Sequence, residues 1–227
     1  MTVRPIIDAD SMIYASAFAE DLESAQESLD SRITAVLDYF EKNHTVSSFE
    51  VCSGSKGNFR KYLTDTYKAN RKNIEHPQWL NQLHYHAKTE WSSNGAIGVE
   101  TDDLVASMFS QCEDGINNVI VSIDKDYLQF EGWIYNYNKN TLTYNTKLDA
   151  LRAFYTQMIV GDSSDNIKVC KGKGKAYAKK LFKDCETEYQ FIRRVFETYQ
   201  SHYKSKARET YILTYKLLKL RTDVRNK

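Results

Sequence analysis

Short apolar runs that end in acids alternate with longer stretches whose apolar positions recur every three or four residues. "VRPIID" (Val3 to Asp8) reads as a buried strand closed by a carboxylate. "ESLDSRITAVLDYFEKN" places Leu29, Ile33, Val36, Leu37 and Phe40 on one helical face. "VSSFEVC" predicts a second strand, and "NNVIVSID" a third that again ends in an acid, Asp124. Between them, "PQWLNQLHYHAKTEW" predicts a helix opened by Pro77, and "TDDLVASMFSQC" a helix with Thr101 as N-cap. "GWIYNYNKNTLTYN" predicts a β-hairpin turning at Lys139 and Asn140, and from Thr146 onward the pattern is helical almost to the end. "GNFRKYLTDTYKANRK" is basic and aromatic with no core-facing period. Strands alternating with helices imply an α/β fold with a mostly parallel sheet, whose sites form beyond the carboxyl ends of the strands. Asp8 and Asp124 stand at such ends.

Composition narrows this picture. The 227 residues suit one domain or one domain with an appendage, and 41% hydrophobic with 27% charged residues is enough to bury a core. No apolar run reaches membrane-spanning length, so no membrane association is expected. The N-terminus has no signal-peptide shape, and a cytoplasmic location is expected. Cys52, Cys112, Cys170 and Cys185 form no CxxC pair, which argues against zinc and for reduced thiols. The net charge of +1 hides an uneven distribution. Residues 8–41 are acidic, residues 56–72 hold six bases and one acid, and residues 168–227 hold seventeen bases and six acids. Basic segments attract polyanions, and clustered acids attract divalent cations.

The acids fall into four groups: Asp8 with Asp10; Glu100, Asp102 and Asp103; Asp124 with Asp126; and Asp162 with Asp165. Each alone has a plain explanation as a helix cap, a dipole partner or a turn. Carboxylates converging on one sheet edge are another matter, because they would raise one another's pKa unless cations were bound. Oxygen donors without His or Cys point to magnesium or manganese, and two such ions form a device for in-line attack on a phosphodiester.

Two basic elements complement the acids. "KVCKGKGKAYAKKLF" combines Gly172 and Gly174 with Lys171, Lys173 and Lys175, a loop whose backbone can approach a phosphate; it is not a Walker loop. "YKANR" offers Lys68 and Arg71 as cations for a reacting phosphate and Tyr67 to stack on a base. The plain alternatives are a flexible basic loop and a solvated helix face. His84 and His86, beside Trp79 and Tyr85, read as packing or surface residues.

"IIDADSMIY", "FRKYLTDTYKANRK", "GVETDDLVAS", "VIVSIDKDYLQF" and "GDSSDNIKVCKGKGKAYAKKLF" stand in an order that resembles the flap endonuclease / 5′–3′ exonuclease family, its short phage-type members above all. The resemblance spans roughly residues 3 to 185. It implies a PIN-like catalytic domain over residues 1–160, with a helical arch, and a helical DNA-binding region over 161–227 built on a helix-three-turn-helix element. It places Asp8, Glu100, Asp102, Asp103, Asp124, Asp126, Asp162 and Asp165 at the metal site. Asp8, Asp103, Asp124, Lys68 and Arg71 become the catalytic set. Tyr67, Lys68, Arg71, Lys171, Gly172, Lys173, Gly174 and Lys175 become DNA contacts. Two or more Mg2+ or Mn2+ ions, and a K+ ion at the Gly172–Gly174 loop, are implied as cofactors. The implied partners are DNA with a 5′ end or flap, an RNA–DNA hybrid in primer removal, and replication proteins; the chain is expected to be a monomer in the cytoplasm, the host's for a phage-encoded member.

The chain departs from this family in two places. In "VCSGSKGNFR", Ser53 and Ser55 stand where an acid is expected at the end of the second strand, leaving Asp10 as the candidate to compensate. The glycine loop is also unusually rich in lysine. Two other readings compete. "IIDADS" fits the opening of haloacid-dehalogenase-type phosphatases, with Asp8 as nucleophile and Asp10 as acid/base, but that leaves "YKANR" and the lysine–glycine loop without a role. The other is a DNA-structure-binding relative that does not cut.

Overall fold

The structure is a computed structural model that describes residues 1–72 and 74–224. Its elements follow in the order β1 (Thr2–Asp8), α1 (Asp10–Ser16), α2 (Leu22–Asn43), β2 (Thr45–Val46), β3 (Glu50–Cys52), α3 (Arg60–Leu63), α4 (Leu80–Glu90), α5 (Thr101–Phe109), β4 (Asn117–Val121), β5 (Gly132–Asn136), β6 (Thr141–Asn145), α6 (Lys147–Val160), α7 (Lys175–Leu181), α8 (Glu188–Tyr203) and α9 (Ala207–Leu218). Among the described residues the strands form one sheet ordered β2-β1-β4-β5-β6, with β3 also paired to β1. All pairs are parallel except the β5–β6 hairpin.

Alternation along the central strands builds the layers. Val3 and Ile7 of β1, with Val119 and Val121 of β4, face Leu29, Ile33 and Phe40 of α2. Ile6 and Ile120 face the opposite way, onto Leu104, Val105 and Met108 of α5. Each such side chain, fully buried, contributes roughly 1.5–3 kcal/mol. A third cluster joins α6 to α9 through Tyr155, Phe182, Phe191, Tyr199 and Leu217. The apolar positions of "YILTYKLLKL" therefore serve packing. His86 Nε2 and Trp91 Nε1 lie 2.9 and 2.6 Å from Asp30 Oδ1, which pins α4 to α2. No helix among the described residues is long and apolar enough to cross a membrane.

The structure corrects several local expectations. The single strand over "VSSFEVC" is two short ones: β2 pairs Thr2 and Val3, β3 pairs Ile6 to Asp8, and three residues oppose two between them. This is the signature of a bulge. The helix foreseen from Pro77 starts at Leu80, with the Pro77 carbonyl accepting from Leu80 N–H. The N-cap of α5 is Glu100 rather than Thr101, in a reciprocal capping box with Asp103. The basic stretch expected to begin a helical arch holds only the four-residue α3 and a single 3-10 turn at Ala69–Arg71, while α4 packs on α1 and α2.

One buried cation joins the sheet domain to the C-terminal helices. Arg60, 1% exposed, holds both carboxylate oxygens of Asp103 at 2.7 and 2.8 Å and reaches Glu100 at 3.1 Å. Its remaining donors go to the carbonyls of Leu217 and Lys219. Burial opposes its charge, but the Asp103 carboxylate outweighs burial and raises its pKa. Removing one partner of such a pair strands the other. Arg60→Met should therefore cost about 3–5 kcal/mol in urea denaturation, and Arg60→Met with Asp103→Leu much less. Equal losses in the two variants would refute the pairing as the cause.

Candidate metal centre

Five separate segments deliver side chains to one cleft of about 520 Å³ beyond the carboxyl ends of β1 and β4. β1 ends in Asp8, and α1 opens with Asp10 and Ser11. The N-terminus of α5 brings Glu100, Thr101 and Asp102. The turn after β4 brings Asp124, Lys125 and Asp126, with Asp124 Oδ1 accepting from Asp126 N–H at 2.9 Å. Gly161 ends α6 at φ +76°, where a Cβ would lie 2.2 Å from the Ile167 carbonyl oxygen, so the chain turns sharply and presents Asp162 and Asp165. Lys68 and Arg71 complete the wall.

Lys68 and Arg71 are fixed by backbone as much as by charge. Lys68 N–H donates to the Asp165 carbonyl, Asn70 Nδ2 to the carbonyls of Ser163 and Ser164, and Arg71 Nε to Ser164. Asn166 Nδ2 returns a bond to the Thr66 carbonyl. The segment 66–71 and the loop 163–166 are thus laced together.

The acids divide by whether a cation already answers them. Lys68 pairs with Glu100 and lies 3.5 Å from Asp165; Arg71 lies 2.9 Å from Asp165. Burial would raise Glu100, yet Lys68, Tyr67 and Arg60 overcome it and hold its pKa below the usual range. Asp162 is likewise held low against burial by Lys125, 2.6 Å away. Among the described residues, no Lys or Arg side chain forms an ion pair with Asp8, Asp10, Asp102, Asp124 or Asp126. Asp8 instead accepts from the Tyr127 hydroxyl at 2.8 Å, and Asp126 from Gln157 Nε2. Burial, then the Asp10 charge, push Asp8 up to about 7. Burial and Asp124 push Asp126 to about 6, and burial with Glu100 raises Asp102 well above the ordinary value. Among the described residues, no three His, Cys, Asp or Glu side chains are drawn together tightly enough to hold an ion as they stand. Mutual repulsion among unanswered carboxylates acts in that direction. An all-oxygen donor set short of positive charge fits Mg2+ or Mn2+.

Two residues assigned to the site lie elsewhere. Asp103, expected as a ligand and catalytic acid, is 0% exposed, does not line the cleft, and is spent on Arg60 and on the N–H groups of Glu100 and Arg221. Tyr67, expected to stack on a base, is 5% exposed in the helical core, with its hydroxyl between Glu100 (2.7 Å) and Asp165 (2.9 Å). Lys171, Gly172 and Gly174 on the α6–α7 loop and Lys175 at the start of α7 are exposed outside the cleft, and Lys173 Nζ sits 3.8 Å over the Tyr177 ring. Ser53 and Ser55 bond to Ser93 and Thr101 and do not line the cleft. Sequence reasoning missed Arg60, Lys125, Tyr127 and Gln157. Lys125 was visible between Asp124 and Asp126; the other three carry no local signal for a partner so far along the chain.

Residues 4–150 match the family model of the 5′–3′ exonuclease N-terminal resolvase-like domain. A 5′–3′ exonuclease of Mycoplasmopsis pulmonis is 28% identical over 164 residues, covering 64% of this chain and 52% of that protein. A DNA polymerase I of Caldicellulosiruptor bescii is 27% identical over 225 residues, covering 85% of this chain and 25% of that protein. The chain thus spans about half and a quarter of the length of these curated relatives. The flap endonuclease of bacteriophage T5, solved as a pseudo-enzyme–product complex with DNA and metal ions, superposes with a TM-score of 0.63 over 95% of this chain and 99% of that one. At 13% identity that likeness is one of fold.

The raised pKa of Asp8 sets a pH dependence in metal-free protein. A carboxyl titrating near 3.8 unfolded and about 7 folded favours the fold fully below pH 4, and that contribution is lost as pH rises through 7. In EDTA, Asp8→Asn should therefore melt roughly 2–6 °C above wild type at pH 8, with the gap closing near pH 4. A gap independent of pH would refute the assignment.

Proposed function

The chain belongs to the 5′–3′ exonuclease family, and from this premise we propose that it is a divalent-metal-dependent nuclease that hydrolyses DNA at a 5′ end or flap. The observation that carries the reading is the cleft in which Asp8, Asp102, Asp124 and Asp126 form no ion pair with a cation among the described residues. These four would hold the ions, with Glu100, Asp162 and Asp165 around them. Mg2+ or Mn2+ held there would make water more acidic and would stabilise charge on the leaving oxygen. Lys68 and Arg71 orient and neutralise the scissile phosphate from within the same cleft. Water adds to phosphorus as the bond to the 3′ oxygen breaks, leaving a 5′-phosphate and a 3′-hydroxyl. Primer removal during replication is a role that such chemistry fits.

The exposed Lys171, Gly172, Gly174 and Lys175, with the half-buried Lys173, grip the uncut duplex backbone away from the cleft. Family membership sets the phosphatase reading aside. The reading of a relative that binds without cutting keeps one favouring observation, the serines at the end of β3.

The test is digestion of a 5′-labelled flap, a nicked duplex and an RNA–DNA hybrid with Mg2+ and with EDTA. Cleavage of the flap that EDTA abolishes is expected. Asp124→Asn should lower turnover by about 100-fold or more, with flap affinity measured in Ca2+ nearly unchanged. Binding to all three without cleavage would overturn the reading. Changing Lys171, Lys173 and Lys175 together to Gln should flatten the slope of log affinity against log salt by roughly 2–3, and an unchanged slope would remove the loop from the interface.

A further inference from the structure

We propose that Asp10 donates directly to a divalent ion, taking from α1 the place that an acid at the end of β3 would fill. This rests on the nuclease reading above. The edge of the cleft beside β3 has no acid of its own. Cys52, the last residue of β3, pairs with Asp8, and Ser53 after it is buried with its hydroxyl 2.9 Å from that of Ser93. Asp10 reaches across to this edge. Its Oδ1 accepts from Gly54 N–H at 3.1 Å, the next backbone donor beyond Ser53.

The surroundings fix that reach. Gly54 stands at φ +69°, and a Cβ there would lie 3.2 Å from His84 Nδ1, so the approach needs glycine. His84 Nδ1 lies 4.0 Å from Asp10 Oδ1 and has no hydrogen-bond partner among the described residues. On the other side, Ser11 Oγ and the Tyr137 hydroxyl are 2.7 Å apart. The first turn of α1 is therefore held from both sides.

A plainer role would be to cap α1. Asp10 does not do this: the N-cap is Ala9, with no side-chain cap, and the Asp10 carboxylate, though in the first turn, bonds to another segment instead. Its second oxygen makes no hydrogen bond within the described residues, its side chain is 44% exposed, and it lines the cleft beside Asp8. The Asp10 N–H donates to Asp8 Oδ1 at 3.4 Å, which holds the start of α1 against the Asp8 carboxylate. One oxygen is anchored and the other is free, as a monodentate donor requires.

The variant is Asp10→Asn, which keeps an oxygen for Gly54 and removes the charge. Mn2+ binding is followed by titration calorimetry, flap cleavage against Mg2+ concentration, and folding by melting in EDTA. Melting no lower than wild type is expected, with Mn2+ affinity about tenfold weaker or worse and the Mg2+ concentration for half-maximal cleavage raised in step. Wild-type Mn2+ affinity and Mg2+ dependence in the variant, with wild-type protein cutting normally, would overturn the role of Asp10 alone. A wild-type protein that neither binds Mn2+ nor cuts would overturn the nuclease reading, and this inference with it.

Discussion

The ion pair between Arg60 and Asp103 is the constraint on which the rest is hung. Arg60 begins α3, Asp103 lies in the first turn of α5, and the carbonyls that take the remaining guanidinium protons belong to the C-terminal end of α9 and the residue after it. Three remote stretches of chain meet on one planar group. Buried ion pairs of this kind contribute little net stability over a hydrophobic equivalent, but their directional bonds fix register. Here the register fixed is that of the α5 N-terminus, so Glu100 and Asp102 keep their places on the cleft wall because Asp103 is tied down between them and the core.

The cleft is built on unequal neutralisation. Lysines and arginines of the chain itself answer Glu100, Asp103, Asp162 and Asp165, although burial still raises the pKa of Asp165, while Asp8, Asp102 and Asp126 hold protons more tightly without an ion-pair partner among the described residues. A full complement of internal cations would leave nothing for an external one to do. None at all would make a pocket of this acidity too costly to fold. Lys68, Arg71 and Lys125 also line the cleft, so the cations that balance its acids are the ones the proposed reading sets against a phosphate.

Local signals were legible where the physics is local. β1 and β4 show in sequence as apolar runs, α2 as a three-to-four periodicity, and β5–β6 as two alternating runs about a turn. The acid groups of the cleft were equally visible, because short segments after strands carry them. The errors have a common origin in contacts made across the chain. Asp102 and Asp103 look equivalent in sequence, yet neighbouring helical residues point about 100° apart. One therefore faces the cleft and the other meets an arginine 43 positions earlier. Tyr67 is an aromatic in a basic run, and only the packing of α6 and its neighbours shows that its ring is core. The split second strand depends on β1 offering two residues where the neighbouring chain has three.

The lacing of residues 66–71 to residues 163–166 has a mechanical consequence. Because it runs through main-chain carbonyls as well as charges, the strip bearing Lys68 and Arg71 and the loop bearing Asp165 behave as a single plate. That plate continues directly into the lysine-rich turn ahead of α7. A shift of the C-terminal helices would carry cation and anion together with their spacing unchanged, and the Lys68–Glu100 and Lys125–Asp162 pairs moor that plate to the α5 N-terminus and to the turn after β4.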